Sequence, residues 1–109
     1  MASRFIRKNL ATINHLGYTI LEDGKQLSKV IDGFEILVTD LSMRPALDLF
    51  YIYRVIVGIK IIEEEIIIDI LAIDTGHFVP KMENIHKDIL KTIDEYKTKT
   101  GKWHKAENH

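Results

Sequence analysis

Residues 49–73 read LFYIYRVIVGIKIIEEEIIIDILAI, a stretch with ten isoleucines from which the architecture of the chain can be worked out. Arg54, Lys60 and Asp69 interrupt it, together with three consecutive glutamates at 63–65. These charges exclude a lipid-spanning helix, which needs about 20 nearly uncharged apolar residues. The β-branched and aromatic residues favour strands instead. The stretch therefore predicts two long strands in a buried hairpin.

The glutamates suggest where this hairpin turns. If residues 63–64 form the turn, Ile59 pairs with Ile68 across the two strands. Lys60 then lies diagonally across from Asp69, within reach of a cross-strand ion pair. One face of the first strand is apolar along its whole length, and side chains on that face, Ile59 among them, are expected in the core.

Two Asp-Gly pairs, at 23–24 and 32–33, predict two tight hairpin turns earlier in the chain. Both central residues of a type I′ turn need a positive φ, and Asp-Gly is a preferred pair for that turn. The registers of the two hairpins agree, and together they predict a three-stranded meander. The face that both registers make apolar carries Tyr18, Ile20, Leu27, Ile31, Phe34, Ile36 and Val38.

Apolar residues recur at helical spacing near both ends of the chain. The first helix is predicted over residues 4–16, with Ser3 as its N-cap and Gly17 just beyond its end. The second is predicted over residues 81–99, with Gly101 ending it. The buried stripe of the second helix consists of Met82, Ile85, Ile89, Ile93 and Tyr96.

Residues 39–48 break the strand pattern between the meander and the long hairpin. Pro45 cannot sit in a central strand, and the segment holds an aspartate and a serine that can cap a short helical turn. The predicted fold is α+β: an N-terminal helix, a five-stranded, mostly antiparallel sheet and a C-terminal helix, in the order α-β-β-β-(short α)-β-β-α. Residues 1–101 are expected to form one domain, and residues 102–109 a flexible polar tail.

The composition narrows the possible functions. The chain has no cysteine, which excludes disulfide frameworks, zinc–thiolate sites and cysteine nucleophiles. Its N-terminal segment lacks a continuous apolar core, so we expect no secretory signal, no membrane association and a cytoplasmic location. The net charge is −1, whereas nucleic-acid-binding domains usually show a clear basic excess. Nucleic acid is therefore a possible partner but not the favoured one.

Catalytic motifs are weak in this sequence. It contains no G-x-S-x-G turn, no P-loop and no dinucleotide fingerprint. Glu83 and His86 have the spacing of one half of a carboxylate-bridged dimetal site, but such a site needs a second copy and two further glutamates. The pattern favours a protein that is not an enzyme, with no catalytic residues, no metal and no cofactor.

An alternative function follows from the opening of the fold. The first helix, the segment GYTIL at 17–21 and the hairpin after it resemble the start of a PD-(D/E)xK-type nuclease core. The resemblance implies that Asp40 is the first metal-binding acid and that Lys60 closes the second motif. Gly58 stands where that motif needs a carboxylate, so the metal would lose a ligand. In this alternative the protein is a small nucleic-acid-binding or metal-dependent nuclease-like protein that also uses its basic ends.

The second face of the predicted sheet is also rich in apolar residues. Two amphipathic helices of this length are too few to cover both faces, and an exposed apolar patch of that size marks an interface. The predicted protein interface consists of Val30, Leu37, Ile52, Arg54, Ile56, Ile67, Leu71 and Ile73. We therefore expect a small non-enzymatic protein-binding module, an inhibitor, immunity-type or adaptor protein, that associates through this face with another protein or as a homodimer.

Overall fold

The computed structural model describes residues 2–44, 50–74 and 79–100, the last residues of the second and third ranges by their backbone alone. The helices are α1 (Arg4–Lys8), α2 (Leu10–His15) and α3 (Met82–Thr100). The strands are β1 (Thr19–Ile20), β2 (Gln26–Ile31), β3 (Phe34–Asp40), β4 (Tyr51–Ile61) and β5 (Glu64–Asp74). The predicted α+β fold and the order of its main elements are confirmed. Residues 45–48 of the segment in which a short helix is expected, and the predicted polar tail, lie outside the described residues.

The predicted ends of the first helical segment are confirmed. Ser3 precedes α1, and its Oγ accepts a hydrogen bond from the N–H of Ile6 at 3.3 Å. Gly17 follows the last turn with a φ of 80°, in the left-handed region that glycine adopts without strain. Its N–H donates to the carbonyl of Asn14 at 3.1 Å, which satisfies one of the free carbonyls at the helix end.

The single helix predicted over residues 4–16 is wrong in one respect, because it is interrupted at Asn9. This residue leaves the helical region, with φ −110° and ψ 13°. Its side chain is buried and serves a distant segment: Nδ2 donates to the carbonyl of Pro80 at 3.0 Å, and Oδ1 accepts from the N–H of Met82 at 2.8 Å. The apolar spacing continues across the break, so periodicity alone does not reveal it.

The five strands form one antiparallel sheet in the order β1-β2-β3-β4-β5. The predicted meander is confirmed, and its second turn has the type I′ pattern, with φ 51° at Asp32 and 85° at Gly33. The first turn differs from the prediction. Gly24 has φ 67°, but Asp23 does not have a positive φ, and the Gly24 N–H donates to the carbonyl of Leu21 at 3.0 Å. That hydrogen bond closes a turn centred on residues 22–23 instead of 23–24.

The turn of the long hairpin lies one residue earlier than predicted. Residues 62–63 form it, so that Ile59 pairs with Ile66 and not with Ile68. The pairing thus shifts by two residues, which leaves every side chain on its predicted face. In the observed register Lys60 lies directly opposite Glu65, an arrangement of opposite charges that stabilises a strand pair.

All three helices cover the same face of the sheet, as predicted, and the core lies between them. The β4 residues Val57 and Ile59 are fully buried there, and the predicted stripe of α3 is buried except for the half-buried Tyr96. The fully buried side chains of the core include Phe5, Ile6, Ile13, Leu27, Phe34, Val38, Tyr53, Val55, Met82 and Ile89. Among the described residues no helix is both long and apolar enough to span a membrane.

Candidate functional site

The sheet face opposite the helices, which we call the open face, carries most of the predicted interface. Antiparallel pairing aligns its side chains in rows across the strands. One row consists of Leu37, Gly58 and Ile67, and the next of Thr39, Ile56 and Asp69. The row after that consists of Leu41, Arg54 and Leu71, in which the N–H of Leu41 donates to the carbonyl of Arg54 at 2.7 Å. Met43 and Ile52 bridge in the row beyond.

Large apolar side chains on the open face are exposed to solvent. Val30 is 67% exposed, Ile67 55% and Leu71 66%, while Ile52 and Ile56 are half-buried. Single exposed apolar residues are ordinary on protein surfaces, but a contiguous set marks an interaction site. Ile56 lies opposite Asp69 and diagonal to both Ile67 and Leu71, so the apolar surface continues from β4 to β5 on either side of Asp69.

One ion pair lies in the middle of this apolar surface. Arg54 Nη2 donates to Asp69 Oδ2 at 3.0 Å and Nε donates to Oδ1 at 3.3 Å, a bidentate contact between adjacent strands. This hydrogen bonding, together with the attraction of the carboxylate, raises the pKa of Arg54. Both side chains remain about half exposed. The centre of the open face therefore carries one cation and one anion that compensate each other.

A row of alternating charges borders the apolar surface at the hairpin end. Glu35 pairs with Lys60, and Lys60 pairs with Glu65. The carboxylate of Glu65 lies over Gly58, where an added Cβ would be 3.3 Å from Oε2. Gly58 helps to line a shallow concavity of about 750 Å³, which Ser28, Val30, Leu37 and other residues border. The open face is thus slightly hollow at its charged end.

Seven of the eight predicted interface residues belong to the open face: Val30, Leu37, Ile52, Arg54, Ile56, Ile67 and Leu71. Of the eighth, Ile73, the structure gives the backbone pairing with Ile52. Sequence reasoning missed Leu41 and Met43, which are 52% and 59% exposed. The period-two pattern that runs from Leu37 through Thr39 to these two residues is the signal that finds them.

The two residues of the nuclease-like alternative are not brought together. Asp40 is buried on the helix-covered face opposite Val55, and its Oδ1 accepts a hydrogen bond from the N–H of Ser42 at 2.8 Å. Lys60 is exposed on the open face opposite Glu35. The sheet itself lies between the two side chains, so they do not share a site.

His86, whose spacing from Glu83 matches one half of a dimetal site, is hydrogen-bonded to a tyrosine. Its Nδ1 lies 2.8 Å from the hydroxyl of Tyr18, and the two rings meet edge to face. Burial raises the pKa of Tyr18 to about 12. Burial, followed by the charge of Lys29, lowers the pKa of His86. No group of three or more potential metal ligands occurs among residues 2–44, 50–74 and 79–100.

Basic residues from the first helix and from residue 44 gather around a second concavity, of about 450 Å³. Arg4 and Arg44 both lie over the ring of Tyr51, 5.3 and 5.7 Å from its centroid. Such stacking is a favourable cation–π contact. Arg7 and Lys8 line the same concavity. This is where the basic N-terminus of the sequence lies in the fold.

Comparison with known proteins does not assign this chain to a family. No family model, no curated protein and no solved structure matches the chain.

Proposed function

We propose that this chain is a small non-enzymatic protein-binding module, of the inhibitor, immunity-type or adaptor class, that forms a homodimer through its open face. The observation that carries the proposal is the exposure of Ile67 and Leu71 on either side of Asp69, whose charge Arg54 compensates. Burying apolar surface contributes about 25 cal/mol per Å². A partner that covers this face removes that surface from water.

The charges at the centre of the open face favour a second copy as the partner. A two-fold symmetric interface brings the same patch of both copies together, so the patch has to complement itself. With Arg54 and Asp69 side by side, the cation of each copy meets the anion of the other when two open faces stack. A single uncompensated charge at this place would instead lie against the same charge of the second copy and repel it.

The size of the open face is adequate for a stable dimer. β4 and β5 have 11 residues each, which is about 37 Å of strand at about 3.4 Å per residue. The other three strands are shorter, with two, six and seven residues, so at about 4.8 Å between strands the sheet covers about 600 Å². This is comparable with the roughly 800 Å² per partner of a standard interface.

Light scattering tests the homodimer directly. At micromolar concentration the protein is expected to give twice the 12.6 kDa mass of one chain. Leu41→Asp and Leu71→Asp each place a charge in the apolar surface and are expected to give monomers. Leu90→Asp is the matched control, because Leu90 is 44% exposed on α3, away from the open face. A monomeric wild type, or dimers in all three variants, contradicts the proposal.

The nucleic-acid alternative has the basic concavity beside Tyr51 as its best support. Its nuclease form lacks a shared site for Asp40 and Lys60, so we expect purified protein to leave DNA and RNA intact with magnesium or manganese present. Cleavage that disappears in Asp40→Asn or Lys60→Ala would favour this alternative over the binding module. For either function the cytoplasm is the compartment that we propose, on the cysteine-free composition.

A further inference from the structure

The outer edge of β5 has no strand beside it in the described part of the chain. β5 is the last strand of the sheet and has 11 residues, whereas β1 at the opposite edge has two. We propose that the β5 edge binds an extended basic segment of another protein, which adds to the sheet as a sixth strand. The proposal does not rest on the homodimer, although the side chains of Ile67 and Leu71 belong both to this edge and to the open face.

Hydrogen bonds in the sheet show which backbone groups point outward from β5. Ile52 and Met43 exchange two hydrogen bonds of 2.9 Å, and Leu41 donates to the carbonyl of Arg54. The even-numbered residues of β4 therefore bond toward β3, and its odd-numbered residues bond toward β5. Because the pairing matches odd residues of β4 with even residues of β5, the odd residues of β5 direct their N–H and C=O groups outward. These residues are Glu65, Ile67, Asp69, Leu71 and Ile73.

Of the features that usually block strand addition, the β5 edge carries only charged side chains. Natural edges are protected by short strands, by charged residues and proline on the edge, or by β-bulges. Glu64–Asp74 contains no proline, glycine or lysine, and its pairing with β4 runs from Ile61 to Tyr51 without a bulge. The only charged residues in β5 are acids. The edge is therefore regular and open to a strand of suitable charge.

The acids of β5 disfavour a second copy of this edge. Full antiparallel overlap of two β5 strands places Asp69 opposite Asp69 of the copy, and Glu64 opposite Asp74. Like charges directly opposite each other destabilise a strand pair, whereas opposite charges stabilise it. Arg54 already pairs with Asp69, but the four acids of β5 outnumber the two cations of β4, so a segment that carries lysine or arginine is the partner that the charge of this edge favours.

The spacing of side chains along β5 defines the pattern of that segment. Glu65 and Asp69 lie four residues apart on the open face, with the exposed Ile67 between them. An added strand places alternate side chains on this face. The segment thus has basic residues four apart, an apolar residue midway between them and another apolar residue opposite Leu71. On the opposite face Ile66, Ile68 and Ile70 are only partly buried and offer further apolar contact.

A synthetic peptide tests the proposal. The probe is fluorescently labelled Thr-Val-Thr-Lys-Thr-Val-Thr-Lys-Thr, which as an antiparallel strand places its valines opposite Leu71 and Ile67 and its lysines opposite Asp69 and Glu65. It is titrated with the full-length protein and followed by anisotropy. We expect saturable binding that weakens as salt is added, because it depends on charge pairs. The same peptide with glutamate in place of lysine, or with alternate backbone nitrogens methylated, is expected not to bind. Equal binding of all three peptides, or no binding of the lysine peptide, overturns the proposal.

Two variants of the protein separate the edge from a general attraction between charges. Glu65→Lys is expected to weaken peptide binding about tenfold or more, while Glu63→Lys in the turn makes the same charge change off the edge and is expected to have a much smaller effect. Ile67→Pro removes an outward N–H without breaking a bond to β4, and proline is tolerated at such edge positions. It is expected to keep the melting temperature near that of the wild type and to abolish binding. Binding that survives both Glu65→Lys and Ile67→Pro contradicts the proposal.

Amide hydrogen exchange gives a readout at single residues. In the free protein the amides of Ile67 and Leu71 are expected to exchange fast, and those of Ile66, Ile68 and Ile70 slowly. Addition of the lysine peptide should slow exchange at the first two. If Ile67 and Leu71 are already protected in the free protein, this edge is occupied by another copy, and the proposed partner is wrong.

Discussion

The side-chain oxygen of Asn9 accepts a hydrogen bond from the backbone N–H of Met82 at 2.8 Å, although the two residues are 73 positions apart. Met82 is the first residue of α3, so the amide of Asn9 caps that helix from a different part of the chain. The Nδ2 group donates to the carbonyls of Phe5 and Pro80 at 2.9 and 3.0 Å. One buried side chain thereby joins the two ends of the fold.

Asn9→Ala is expected to lower the free energy of unfolding by about 2–4 kcal/mol. The change leaves the N–H of Met82 and the carbonyl of Pro80 buried without their partner, and each such group costs about 1–3 kcal/mol. Urea denaturation measures the loss. Asn14→Ala, at an exposed position in α2, is the control and is expected to stay within about 0.5 kcal/mol of the wild type. Equal effects of the two substitutions would show that the Asn9 contacts do not hold the helices together.

Ile59→Ala and Ile67→Ala test which face of the hairpin is the core. Ile59 is 1% exposed, and its truncation is expected to cost about 2–5 kcal/mol, as for other large-to-small changes in a core. Ile67 is exposed on the opposite face, and its truncation should cost less than about 1 kcal/mol. Both values come from chemical denaturation under the same conditions. The reverse order would mean that the face assignment is inverted.

Gly33→Ala is expected to destabilise the protein by about 1–2 kcal/mol, because Gly33 has a φ of 85° and a side chain in the left-handed region clashes with the backbone. A valine at this position should cost more, since it is β-branched. Gly58→Ala is the matched control. Gly58 has no positive φ, and the nearest atom to an added Cβ is Oε2, at the end of the Glu65 side chain. Thermal melts compare the three variants, and a larger loss for Gly58→Ala than for Gly33→Ala would contradict this account of the turn.

His86 predicts a specific dependence of stability on pH. The folded protein lowers the pKa of His86 from 6.5, so the unfolded chain takes up the proton first as the pH falls. The free energy of unfolding is therefore expected to be highest above pH 6.5. It should decrease as the pH falls from 6.5 to the lowered pKa of His86 in the folded state. Burial is the main cause of the lowered pKa, and the positive charge of Lys29 further disfavours the protonated ring.

Denaturation at several pH values, with His86→Gln beside the wild type, measures this dependence. The variant is expected to lose the part of the pH dependence that lies just below 6.5, while His15→Gln, at an exposed position, should retain it. An NMR titration of the imidazole gives the pKa directly. A midpoint above 6.5 for His86 would reverse the sign of the effect.

Features of the fold that depend on neighbours in sequence could be predicted. The Asp-Gly pair at 32–33 specifies a turn because few residue pairs adopt two positive φ values. The alternation of side chains along a strand assigns Ile59 to the core and Ile67 to the open face. A shift of the hairpin register by two residues does not change this assignment. For this reason the face that carries the candidate site was identified correctly, although the position of the hairpin turn was not.

The sequence by itself determined the α+β class, the two faces of the sheet and most residues of the open face, since all three follow from local periodicity and turn chemistry. Only the tertiary structure decided the interruption at Asn9, the separation of Asp40 from Lys60 by the sheet, and the position of β5 at the end of the sheet formed by the described residues. Each of these depends on contacts between segments that are distant in sequence, and no local pattern encodes which strand ends a sheet. The open face can thus be predicted from the sequence, whereas the outer edge of β5 can be identified only from the arrangement of all five strands.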